Sequence, residues 1–355
     1  MKISAVRTYL KKLPLTKPYT IAYNTFSDVE LVFLEITLAN GIVGIGSASP
    51  AEEVVGETSS QTFLNLQSDF VNNLVGRDIR HFQQIIFEVH QHFAWLPGTQ
   101  AALDIALHDA FAKFLGISVV DFYGQKIEAL PTSVTIGIMN VADTLEEAHN
   151  FEQLGFKVLK VKTGNNLDED IERIYKLDEL YRNTLKIRVD ANQGYSLDEL
   201  KLFLKAIEKL DIELIEQPLL VGKEAELLAL SLAERTMLVG DESMKNAQYA
   251  LAFSQEPRPF GIYNIKLMKC GGILGALEIA TIAKNANIEL FWGCNDESIV
   301  SITAALHVAY SCANTRYIDL DGSFDLAEDL VTGGFSLHNG LMKINHKAGF
   351  GFDLI

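Results

Sequence analysis

Two lysines, Lys160 and Lys162, stand two residues apart in the β-branched stretch VLKVKTG, Val158 to Gly164. On a strand, residues i and i+2 share a face, so both ammonium groups project the same way near the strand end. Like charges held that close are costly unless an anion lies between or beyond them. Further along, three stretches each carry a carboxylate at the end of an apolar run: Asp190 in LKIRVDANQG, Glu216 in ELIEQPL and Asp241 in MLVGDES. A fourth, GIYNIKLMKCGG, carries Lys266. One such acid alone reads as a helix N-cap. Three in succession, between lysine-bearing strands and with no His or Cys beside them, read as oxygen ligands for a hard cation such as Mg²⁺.

A carboxylate bound to that cation has its charge neutralised, and removal of its α-proton gives an enediolate that the cation stabilises. Lys162 and Lys266 flank the acid arc on either side. A lysine beside a divalent cation and a second lysine is expected to have a lowered pKa and to act as a base near neutral pH. Two such bases can take a proton from one face and return one to the other, which is racemisation or epimerisation. A Schiff-base lyase using either lysine is the rival from another mechanism class, and a binder without turnover is a third.

The elements that would position these groups follow a regular pattern. From residue 131 to 322, strand-like and helix-like stretches alternate about eight times, as in a (β/α)8 barrel. No GxGxxG follows a strand, which argues against a doubly wound sheet. In a barrel, chemistry sits at the C-terminal strand ends, where all of these residues fall. Residues 1–130 read as an α+β capping domain. Its strands are KISAVRTYLKKL, LVFLEITLA and GIVGIGSAS, with a hairpin at Asn40-Gly41. A loop is expected over Thr16 to Asp28. Helices follow, the clearest from Thr99 to Leu115 with Gly116 as C-cap. Residues 323–355 read as strands and turns that pack back on the first domain. The fold class is therefore α/β, a barrel with a capping domain completed by the tail.

The formal net charge of −16 argues against a nucleic acid or an anionic membrane as partner. Three cysteines, Cys270, Cys294 and Cys312, form no CxxC pair, which suits a reduced, cytoplasmic protein. The first residues alternate apolar and polar side chains and lack the apolar core of a signal peptide. The apolar run Ile299 to Ala313 is too short for a membrane span and contains His307.

KVK at Lys160, DAN at Asp190, EQP at Glu216, GDES at Gly240 and NIKLMKCGG at Asn264 together resemble the enolase superfamily, in its muconate-lactonising subgroup, over the whole chain. The resemblance implies Asp190, Glu216 and Asp241 as ligands of one Mg²⁺ per subunit, and Lys162 and Lys266 as the acid/base pair. It places Lys160 near the substrate carboxylate and Asn192 near the metal. Glu242, one residue out of phase, is expected to face away. The subgroup contains muconate cycloisomerases, o-succinylbenzoate synthases, N-acylamino acid racemases and dipeptide epimerases. The DLD stretch, Asp319 to Asp321, is similar to the Asp-x-Asp with which dipeptide epimerases bind the substrate α-amino group. That implies a dipeptide epimerase inverting the α-carbon of the C-terminal residue, the other activities being alternatives.

Members that act on Ala-Glu carry an arginine in the loop after the first strand. Here TKPYTIAYNTFSD has none, and Asn24 stands in its place. Tyr19, Ile21, Tyr23 and Phe26 supply apolar surface, so small or hydrophobic dipeptides are expected. Thr135 and Asp296 join Lys160, Asp319, Asp321 and Asn24 as expected substrate-binding residues. Cys294, Asn295 and Asp296 stand where the mandelate-racemase branch has a histidine. Glu297 is expected to cap the next helix, Lys269 to point elsewhere along its strand, and His108 to be structural. Asp168, Glu169, Asp170 and Glu172 favour a helix start through its dipole. A homo-oligomer is expected.

Overall fold

The computed structural model of the chain describes residues 1–21 and 24–355, and the side chains of residues 17–26 lie outside that description. The chain opens with a three-stranded antiparallel sheet, β1 (Ile3–Ile21), β2 (Asn24–Leu38) and β3 (Val43–Ala48). Asn40 and Gly41 make the β2–β3 turn, with Gly41 at φ +85°, a left-handed conformation glycine adopts without strain. The described residues of the expected loop, Thr16–Ile21 and Asn24–Asp28, are instead strand: pairing of β1 with β2 runs on to Ile21 opposite Asn24. β-branched Thr16, Thr20, Ile21 and Thr25 favour this. A register shift between Pro14 and Tyr19 absorbs Pro18, which has no ladder donor.

The helix Pro97–Leu115 starts on proline and ends at Gly116, φ +74°, as its sequence ends require. It is buried along nearly its whole length. Gly44 and Gly46 of β3 permit that: a Cβ at Gly46 would run into the Ala102 carbonyl. Leu103, Ile105 and Leu107 are wholly buried, each worth about 1.5–3 kcal/mol. The buried Asp109 ties the helix to its surroundings, accepting from Ile45 N (2.9 Å), Phe350 N (3.1 Å) and Lys113 Nζ (2.7 Å).

After β4 (Leu130–Pro131) come eight parallel strands: β5 (Ser133–Ile136), β6 (Val158–Lys162), β7 (Lys186–Asp190), β8 (Ile212–Glu216), β9 (Leu238–Gly240), β10 (Ile262–Ile265), β11 (Glu289–Trp292) and β12 (Thr315–Ile318). Each pairs with its chain neighbour. A bridge between Thr132 and Ile318 brings the first and last together, and Leu320 N donates to Thr132 Oγ1 (2.9 Å). The barrel is nearly closed. GIYNIKLMKCGG is not one strand: β10 stops at Ile265, and Leu267–Cys270 form a helical turn ending at Gly271, φ +81°.

Past the barrel, β13 (Val331–Gly333) pairs with β16 (Phe352–Leu354), and β14 (Phe335–His338) with β15 (Leu341–Ile344), which also meets β4. Val119 N donates to the Gly349 carbonyl and Gly349 N to that of Ile117, both at 2.9 Å. Among the described residues no helix is long and apolar enough to cross a membrane.

Candidate active site at the barrel mouth

The C-terminal strand ends place five charged groups in spatial order. Lys162 closes β6, Asp190 closes β7, Glu216 closes β8, Asp241 follows β9 and Lys266 follows β10. Lys162 Nζ donates to Asp190 Oδ2 at 2.7 Å, and Lys266 Nζ lies 3.0 Å from Asp241 Oδ2. The two lysines therefore stand at opposite ends of an arc of three carboxylates. All three acids are buried, Glu216 completely. Lys160, one pleat below Lys162 on the same face, reaches the middle of the arc. Its Nζ lies 2.8 Å from Glu216 Oε2, 3.1 Å from Asp190 Oδ2 and 2.9 Å from Asp319 Oδ2.

Burial alone would raise Asp190, but Lys162 and Lys160 outweigh it and hold its carboxyl at about 2. Asp241 is likewise held well below the usual range despite burial, by Lys266 and Lys269. Glu216 goes the other way: burial, then the Asp190 charge, push it up to about 8. Burial opposes the Lys266 ammonium, yet Asp241 and Glu216 reverse that and raise its pKa. The lowered lysine pKa expected from sequence is thus not what the carboxylates by themselves produce. It requires a competing cation on those acids.

Among the described residues no three His, Cys, Asp or Glu side chains are grouped closely enough to hold an ion as they stand; lysines take up the acids. The donor set nevertheless fits a hard divalent cation. It is all oxygen, and three carboxylates are gathered where water cannot solvate them. Glu216 Oε2 is buried and its one close partner is the Lys160 ammonium at 2.8 Å, which makes no well-directed hydrogen bond to it.

The other expected site residues fall around this centre. Asp319 is buried and accepts from Ser133 Oγ (2.5 Å) as well as from Lys160. Asp321 accepts from Thr135 N (3.0 Å) and Thr135 Oγ1 (3.1 Å). Burial, then the Asp319 charge, lift its pKa to about 7. Lys160 is thus engaged by acids, Asp319 among them. Asn192 bonds Asp190 Oδ1 through its backbone N–H (2.9 Å), and the residue is exposed. Asp296 is half-buried beyond β11. The side chain of Asn24, like those of Tyr19, Ile21, Tyr23 and Phe26, lies outside the described residues.

Three expectations need correction. Lys269 does not point elsewhere. The helical turn after β10 brings residue i+3 back toward Lys266, and Lys269 Nζ pairs with the Asp241 carboxylate, donates to its carbonyl (2.5 Å) and donates to the Asn264 carbonyl (3.1 Å). Glu242 does not face away into solvent: its Oε2 is buried without a hydrogen bond, and burial followed by Asp241 and Asp190 raises its pKa. Glu297 is not the helix cap, which is Ser298. It accepts instead from Asn295 N (3.0 Å), and burial pushes it to about 7. His108 is structural as expected, held between Asp104 and Tyr123.

Sequence reasoning missed Asn264 and Ser133. Asn264 Nδ2 donates to Glu216 Oε1. It lies two residues before Lys266, and Ser133 two before Thr135, so the strand period alone points both at the site. Residues of the N-terminal sheet bond to the loops after β11 and β12. Asn295 Nδ2 donates to the Ser49 carbonyl (2.9 Å), and Thr16 N to that of Asp325 (2.7 Å), just beyond Asp321.

Comparison with known proteins matches residues 3–124 to the family model "Mandelate racemase / muconate lactonizing enzyme, N-terminal domain" and residues 143–355 to "Enolase C-terminal domain-like". The chain is 49% identical to an L-Lys-D/L-Arg epimerase of Desulforapulum autotrophicum, with 99% of each chain covered. It is 32% identical to a hydrophobic dipeptide epimerase of Enterococcus faecalis, again with 99% of each covered. The crystal structure of a dipeptide epimerase from Methylococcus capsulatus, complexed with Mg and the dipeptide L-Arg-D-Lys, superposes with a TM-score of 0.97 at 44% identity over 99% of both chains. These relatives are epimerases, that is, isomerases.

Proposed function

Since the chain belongs to the mandelate racemase/muconate-lactonising enzyme family of the enolase superfamily, we propose that it is a Mg²⁺-dependent dipeptide epimerase that inverts the α-carbon of the C-terminal residue. The observation that carries this is the order of groups around the mouth: lysine, three acids, lysine, on five neighbouring strands.

Asp190, Glu216 and Asp241 would hold the Mg²⁺. Bound there, the ion would neutralise the substrate carboxylate and favour the charge that builds on it as the α-proton leaves. Lys162 and Lys266 each face one side of the α-carbon. One takes the proton onto Nζ and the other delivers its own to the opposite face. Asp321, steadied by Thr135, and Asp319 receive the α-ammonium group of the dipeptide. Lys160 offsets the negative charge of the acids.

For substrate class, the support shifts from hydrophobic to basic dipeptides. The apolar residues behind the first expectation lie outside the described side chains. The relative at 49% identity is an L-Lys-D/L-Arg epimerase. Carboxylates at Asp296 and Asp325, beyond the two that take the α-ammonium, on a chain of net charge −16, suit lysine or arginine side chains.

The test is proton NMR in D₂O with Mg²⁺ and a panel of L-Lys-L-Arg, L-Leu-L-Tyr, L-Ala-L-Glu and an N-acyl amino acid. Loss of the α-proton signal of the C-terminal residue, fastest for L-Lys-L-Arg and stopped by EDTA, is expected. Exchange in the N-acyl amino acid but in no dipeptide would refute the reading.

Free Cys270, Cys294 and Cys312 fit the reducing cytoplasm as location. A homo-oligomer is part of the proposal, which sedimentation reading only a monomer would exclude.

A further inference from the structure

The two lysines at the ends of the arc are anchored differently. The Lys266 carbonyl is taken by its own chain: Lys269 N and Cys270 N donate to it, at 2.9 and 3.2 Å, as the helical turn begins. Lys162 ends β6 with no helix directly behind it, since the next helix, Leu167–Tyr181, starts five residues on. Its carbonyl is taken by a side chain instead. Arg173 Nη2 donates to Lys162 O at 2.9 Å.

Arg173 belongs to that helix yet is 1% exposed. The same Nη2 meets Asp170 Oδ1 at 2.5 Å, and Asp170 is equally buried. The other oxygen of Asp170 accepts from Gly164 N (2.8 Å) and from Tyr195 Oη (2.9 Å). Gly164 sits at φ +98°, and a Cβ there would collide with the Ala191 carbonyl. Thr163 N donates to the Asp190 carbonyl at 2.8 Å. A buried lattice thus joins the turn after Lys162 to the turn after Asp190.

Stability is a poor reason for such a pair. Burying both charges costs several kcal/mol in desolvation, and apolar replacements of a whole buried pair are often neutral or stabilising. Arg173 Nη1 is buried with no hydrogen-bond partner at all, so the pair is not built for strength. What it does achieve is a fixed backbone direction at Lys162.

We propose that Arg173, locked by Asp170, is a positioning residue that aims Lys162, and not Lys266, at the α-carbon. This rests on the two-lysine reading above. Its signature is one-sided. Each lysine takes the α-proton of one epimer onto Nζ, exchanges its ammonium protons with D₂O, and returns deuterium to the same face. Washout of each epimer therefore reports one lysine.

The experiment measures α-proton washout of L-Lys-L-Arg and L-Lys-D-Arg in D₂O with Mg²⁺, in the unmutated protein, Lys266→Ala, Arg173→Met, Arg173→Lys and Tyr195→Phe. The epimer still exchanged by Lys266→Ala identifies the Lys162 side. Arg173→Met is expected to slow washout on that side about 100-fold, the scale of an ångström of misplacement, while the other side changes less than about threefold. Arg173→Lys, which keeps the charge opposite Asp170, recovers part of the loss. Should Arg173→Met fail to fold by circular dichroism, the ratio between epimers is read from Arg173→Lys and Tyr195→Phe. Equal slowing of both epimers, or an unchanged ratio, overturns the assignment. Absence of washout in the unmutated protein would instead remove the epimerase reading, and this assignment with it.

Discussion

Lys269→Met tests the electrostatics of the arc without touching either end lysine. Met fills nearly the same volume, so little cavity energy enters. What is lost is a cation 3% exposed at the side chain, paired with the Asp241 carboxylate, and the donor for two buried carbonyls, those of Asp241 and Asn264. Breaking a buried ion pair from one side costs about 3–5 kcal/mol, and each orphaned carbonyl would add to it. Lys266, 3.0 Å from the other oxygen of Asp241, still compensates part of the charge. The net expectation is therefore a loss of about 3–5 kcal/mol rather than the full sum. Urea denaturation in EDTA reads it directly, with a drop in Tm of about 4–7 °C as the thermal counterpart. Mg²⁺ should recover part of it, because an ion that binds only the folded acids stabilises by mass action. A loss under about 1 kcal/mol, typical of a solvated pair, would show that Lys269 stands away from the arc and would refute the reasoning.

Three more outcomes are expected. Glu216 holds its proton up to about pH 8 in the folded chain, above the value of a free glutamate. Its contribution is fully present below the free-carboxyl range and is lost as pH rises through about 8. In EDTA, urea stability should fall between pH 5 and 8.5 by on the order of 1 kcal/mol or more, and Glu216→Gln should flatten the fall; a flat unmutated profile would refute it. For the same reason Mg²⁺ binding near pH 7 should release a proton, seen as a calorimetric enthalpy that tracks the ionisation enthalpy of the buffer; buffer-independent heats would count against Glu216 as a ligand. Thr135→Val removes one of the donors to Asp321 Oδ2 and should raise the dipeptide KM about tenfold with kcat nearly kept; an unchanged KM would take Asp321 out of ammonium binding.

The chemistry was easier to read in the sequence than its supports. Lys162, Asp190, Glu216 and Asp241 sit at strand ends, where the period of two and the spacing of repeats locate them. Lys269 was misread because LMKC looks strand-like, and only the turn at Gly271 shows that a helix has begun. Asp170 reads as an ordinary charge of a helix start and Arg173 carries no signal of its own, since no periodicity tells a buried i,i+3 pair from a solvated one. Ser133 and Asn264 obeyed the strand period and could have been found. The extension of β1 through Thr16 to Ile21 and of β2 back to Asn24 is hidden by Pro18, whose missing donor suggests a loop when the pairing merely shifts register.

Asp109 has a consequence for how the protein is made. Its carboxylate sits in the helix that floors the first sheet, yet one of its donors is Phe350, and Gly349 clasps the chain at Ile117 and Val119. During synthesis that buried anion emerges long before its last partner. Lys113 supplies its counter-charge at once, but the early half waits one hydrogen-bond donor short until the barrel has been made and Phe350 returns to it. A chain cut near residue 340 would therefore keep all eight barrel strands yet leave the first sheet and its helix without the clasp at Ile117 and Val119.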